Sequence, residues 1–81
     1  MKQTIQAPNK QTQIVEHWYE YILAYAEEAA IRGDYRIHVN VEIKESIFPK
    51  VEKKLLKMGF KIAKCVNHNK KMVENVILAW D

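Results

Sequence analysis

The closing stretch Val76-Ile77-Leu78-Ala79-Trp80 sets the tightest limit on the fold. A strand points successive side chains to opposite faces, so Val76, Leu78 and Trp80 fill one face while Ile77 and Ala79 fill the other. A strand apolar on both faces gains most with cover on both sides and neighbours at both edges. It belongs in the middle of a sheet, although it comes last in the chain.

Two further strands are available to flank it. From Tyr35 to Ile43, Tyr35, Ile37, Val39, Val41 and Ile43 alternate with Arg36, His38, Asn40 and Glu42, the period-2 pattern of a half-buried strand. On this parity Tyr35 and Trp80 are core residues. Phe60 to Val66 forms another strand, joined through the polar turn Asn67-His68-Asn69-Lys70-Lys71 to the last one, Met72 to Trp80, as a hairpin.

The remaining segments are helical. Val15, Trp18, Ile22, Tyr25, Ala26 and Ala29 recur at three-and-four spacing on one face, with Thr12 as N-cap and Gly33 just past the end. Glu28 and Arg32 form an i,i+4 pair in the favourable order. Ser46 to Met58 makes a second helix, with Phe48, Val51, Leu55 and Met58 on one face and Gly59 as its stop. Pro49 fits a first turn and sets the start at Ile47 or Pro49.

Strand, helix and strand over residues 35–66 read as a right-handed crossover of parallel strands, with the last strand antiparallel between them. The expected fold is α+β in the order helix-strand-helix-strand-strand. Its three-stranded mixed sheet has strand order 1-3-2 and carries both helices on one face. Residues 1–11 read as a flexible arm and residues 12–81 as one domain.

A chain of 81 residues buries only about 60% of its unfolded surface, so a deep site is expected between subunits rather than within one. Apolar residues at 48% and charged residues at 28% match globular usage. No apolar run approaches a membrane span and no signal-peptide core is present, so a bacterial cytoplasmic location is expected. The single cysteine, Cys65, agrees with a reducing compartment. Residues 1–33 carry three Lys or Arg against four Glu, whereas residues 34–81 carry ten against six acids, which places the basic surface in the second half.

Lys50, Lys53, Lys54 and Lys57 stand at i, i+3, i+4 and i+7 and form a basic ridge on the second helix. With Arg36 and His38 they are the candidate residues for an anionic partner: an acidic protein, a small anionic nucleotide or, as a lesser alternative, nucleic acid. No stacking aromatics accompany the ridge, and no RNP1-like run, GXXG loop or zinc-finger spacing occurs. Two helices cover one face of three strands, which leaves Ala63, Cys65, Ile77 and Ala79 on the other as candidates for homo-oligomer formation. Cys65 and His68 are three apart, but two ligands do not make a zinc site and no carboxylate orients them for nucleophilic chemistry. No P-loop, GxGxxG, HExxH or GxSxG is present, so neither catalysis nor a metal or cofactor is expected.

From about Val15 onward the chain resembles small proteins of tailed phages and prophages of Gram-positive bacteria. The resemblance lies in the N-terminal helix, the alternating strand, Leu55-Leu56-Lys57-Met58-Gly59-Phe60-Lys61-Ile62 and Val76-Ile77-Leu78-Ala79-Trp80. It implies an early phage gene product that counters a host defence or host enzyme, by occluding a protein or sequestering an anionic nucleotide signal. A minor virion or assembly component is the further alternative. The motifs carry no family active site to this chain.

Overall fold

A computed structural model describes residues 10–80. The arm expected over residues 1–11 lies mostly outside the described residues, as does Asp81. Lys10 and Gln11 already belong to the first helix, α1 (Lys10–Ile31), which begins two residues before the expected cap at Thr12. Gly33 ends this region at φ +92°, where a side chain would be strained. Its N–H donates to Ala30 O at 3.0 Å and the Asp34 N–H donates to Ala29 O at 2.8 Å, the paired bonds of a Schellman turn.

The chain continues as β1 (Arg36–Lys44), α2 (Phe48–Lys57), β2 (Lys61–Asn67) and β3 (Met72–Ala79). The sheet order is β1-β3-β2, as the doubly apolar closing strand requires. β3 is antiparallel to both neighbours, so the outer strands run in one direction without touching. Pro49 sits in the first turn of α2, where its missing N–H leaves no helical bond unmade.

Both helices lie on the same side. The registers set Ile37, Leu78 and Ile62 in one row beneath them, then Val39, Val76 and Lys64, then Ile43, Val73 and Val66. α1 packs over β1, α2 packs over β2, and the helices pack on each other. Phe48, Ile22, Ile43, Leu55, Leu78, Val51, Val73 and Val76 are the largest fully buried side chains, and every buried residue among those described is apolar. Phe60 and Trp80 close one end of this core with an edge-to-face contact, ring centroids 5.8 Å apart.

Lys64 falls on the helix side yet remains partly solvated. Its ammonium stands 5.1 Å from the Phe48 ring centroid and 3.5 Å from a Glu52 carboxylate oxygen. The aliphatic stem thus covers core while the charge reaches water.

The register is irregular around Glu74, which faces two residues of β1, Val41 and Glu42, on one side and is the extra residue against Cys65–Val66 on the other. This irregularity lets Val73 and Val76, three residues apart, face the same core. Three expected core residues are not core. Tyr35 is 60% exposed because β1 starts only at Arg36 and α1 has already stopped at Ile31, leaving no helix above it. Tyr25 is 48% exposed on the outer flank of α1. Met58 is 56% exposed because it caps α2 after the last helical turn.

Gly33 has nothing within 4 Å of the place a Cβ would occupy, so only backbone strain opposes a side chain there. Gly33→Ala is expected to lower unfolding free energy by about 1 kcal/mol. Urea denaturation followed by circular dichroism checks this.

Candidate functional site

The face of the sheet away from the helices has no cover among the described residues. Across it, one row holds Arg36, Ala79 and Lys61, the next His38, Ile77 and Ala63, and the third Asn40, Asn75 and Cys65. The four residues expected to mediate self-association therefore share one surface. Ala63 and Cys65 on the edge strand are exposed, while Ile77 and Ala79 on the central strand are half-buried by their neighbours. His38 Nε2 lies 2.9 Å from Asn75 Oδ1, an oxygen that only accepts, so the imidazole is the donor across the strands.

The lysines of α2 do not form one free ridge. Lys54 turns toward α1, where its ammonium donates to both Glu16 carboxylate oxygens at 2.7 and 3.1 Å and stands 5.0 Å from the Tyr19 ring centroid. The hydrogen bond to Glu16 is the main reason that this ammonium keeps its proton above the ordinary 10.5, against a smaller opposing effect of desolvation. Lys50 also reaches α1, donating to Gln11 Oε1. Lys53 and Lys57 are exposed. Arg36 and His38 lie on the uncovered sheet face, with the sheet between them and α2. The six expected anion-binding residues are thus distributed over two surfaces.

Two further surface features stand out; Tyr21 of the first, grouped with Tyr19 and the helix carboxylates, is a possible protein-binding residue from the sequence, while the rest emerges only from the structure. The first is a row along the outer flank of α1, where the exposed rings of His17, Tyr21 and Tyr25 and the half-buried ring of Trp18 meet at centroid separations of 5.1 to 6.2 Å. A hydrogen bond with Tyr25 raises the Tyr21 hydroxyl above its ordinary 10.0. The signal was the i, i+4, i+8 spacing of His17, Tyr21 and Tyr25, set beside the core stripe rather than within it.

The second is a shallow groove of about 730 Å³ at the hairpin end of the sheet. Lys44 at the end of β1 with Glu45 and Ser46 of the turn that follows form one wall, and His68, Lys70, Lys71 and Met72 from the hairpin form the other. The walls are joined where Lys44 pairs with Met72 and the Glu45 N–H donates to Lys71 O at 2.9 Å. Antiparallel pairing of β1 with the start of β3 brings these distant residues together.

Cys65 is an exposed free thiol, and no group of three or more His, Cys, Asp or Glu among the described residues is placed to hold a metal ion. No helix among the described residues is long and apolar enough to cross a membrane. No protein-family model, curated protein or solved structure matches the chain.

The Lys54–Glu16 pair gives a pH signature. Because the folded-state pKa of Lys54 is raised, its stabilising effect is complete below the unfolded value of about 10.5 and is lost as pH rises through the folded value. Wild type is expected to exceed Glu16→Gln in urea midpoint at pH 8, with the gap shrinking toward pH 11.

Proposed function

We propose that this protein is a non-catalytic binding protein of phage type. It inhibits a host defence or host enzyme, either by occluding a protein partner or by sequestering an anionic nucleotide signal, and it works as a homo-oligomer assembled through the uncovered face of its sheet. The observation that carries the binding mode is the clustering of Ala63, Cys65, Ile77 and Ala79 on a face that neither helix reaches. The phage context comes from the resemblance of residues 55–62 and 76–80.

A second copy is the occupant that best suits this face. Ile77, a large aliphatic on the central strand, is ringed by the small side chains of Ala63 and Ala79 and by the polar ends of His38 and Asn75. Two such faces stacked about a two-fold axis would set apolar centre against apolar centre and keep Arg36 and Lys61 at the rim. The thin two-layer core gives the chain a reason to pair, since small domains gain burial by association. The helix layer and the hairpin end then remain available to an acidic partner.

Multi-angle light scattering tests the assembly. The 9.6 kDa chain is expected to elute as a dimer, and Ile77→Glu is expected to give a folded monomer. A wild type that stays monomeric at high micromolar concentration contradicts the assembly. Thermal shift against a nucleotide panel tests the ligand class, because a ligand that binds only the native state raises its melting temperature.

A further inference from the structure

We infer that the hairpin-end groove is a binding site for a small anion bearing two or more phosphates, such as inorganic pyrophosphate or the phosphate chain of a nucleotide. This deepens the anionic-ligand part of the proposed function and rests on that part alone. Lys44, Lys70 and Lys71 line the groove together with His68 and the hydroxyl-bearing Ser46, against one carboxylate, Glu45.

The lysines here are less committed than Lys54. Among the described residues Lys44 and Lys71 enter no ion pair, and Lys70 reaches only Glu74, at 3.9 Å with 70% of its own side chain exposed. An exposed pair at that distance contributes little and does not hold the ammonium away from a ligand. By contrast, the Lys54 ammonium sits 2.7 Å from Glu16. Of the ridge lysines Lys53 and Lys57 stay uncommitted among the described residues, both on one helix, whereas the groove gathers three ammonium groups from two segments of the chain.

The backbone around the groove is fixed before any ligand arrives. Asn67 Oδ1 accepts from the N–H groups of Asn69 and Lys70 at 3.1 and 3.2 Å, which sets the course of the hairpin tip. The Glu45 N–H to Lys71 O bond pins the opposite wall, and the Ile47 N–H donates to Lys44 O at 2.9 Å. Walls held this way lose little backbone freedom when a ligand binds, which favours affinity. α2 also starts just past Ser46, with no side-chain cap at Ile47 and no acidic residue in its first turn, so its positive end adds to the field.

The lining also limits the ligand. Its only large apolar member is Met72, and no Phe, Tyr or Trp lines it, so the one ring able to stack on a base is the His68 imidazole and recognition rests mainly on phosphate. Three ammonium groups on two walls suit a spread of negative charge, and they outnumber the one carboxylate, Glu45, that opposes it.

Proton–nitrogen NMR titration of the full chain with sodium pyrophosphate, ATP and adenosine tests this. Pyrophosphate and ATP are expected to shift the amides of residues 44–46 and 68–72 saturably, and adenosine is expected to leave them in place. A response to ATP but not to pyrophosphate would contradict recognition through the phosphates and overturn the proposal. Lys44→Gln combined with Lys71→Gln is expected to weaken binding about tenfold or more, whereas Lys53→Gln combined with Lys57→Gln leaves it unchanged. Binding retained in Ile77→Glu separates this site from the self-association face. Shifts that do not saturate, that spread equally to α2, or that survive the Lys44 and Lys71 substitutions overturn the proposal, including the case in which only an oligonucleotide binds.

Discussion

The fold rests on β3 being apolar on both faces while the helices of the described residues cover only one. Hydrogen-bonding neighbours at both edges place β3 between β1 and β2. The face holding Val73, Val76 and Leu78 is sealed by α1 and α2. Among the described residues, the other face leaves Ile77 and Ala79 half-buried, screened by flanking side chains alone. α2, with ten residues, spans about 15 Å and cannot also reach round the sheet.

That arrangement separates the charged groups by surface. Arg36, His38 and Lys61 fall on the uncovered face, the α2 lysines fall on the helix layer, and Lys44, Lys70 and Lys71 gather at the hairpin end. Lysine number alone is a poor guide to where an anion would bind. What matters is whether an ammonium already has a carboxylate, as Lys54 has in Glu16, and whether its neighbours come from more than one element.

The fold was legible because its signals were periodic and mutually consistent. Strict alternation from Ile37 to Ile43, the helical stripe from Val15 to Ala29 and the doubly apolar Val76–Trp80 all point to the same sheet order. The irregularity near Glu74 was harder to see because no glycine or proline marks it; only the three-residue gap between Val73 and Val76 records it. Helical spacing placed Lys50 and Lys54 on the outer side of α2, but it carries no information on the distance to α1, and there Glu16 and Gln11 decide what those lysines do. The hairpin-end groove depends on residues 44–46 meeting residues 68–72, a contact that exists only once β1 and β3 are paired.

Cys65 offers the most direct probe of the central claim, that the face left bare by the helices is covered by a second copy. Its thiol is exposed in the single chain and lies one row from Ile77 on that face. The rate of its reaction with a neutral disulfide reagent, measured across a dilution series of the native protein, is predicted to rise steeply as the assembly dissociates. A rate equal to that of the unfolded chain at every concentration would contradict the account.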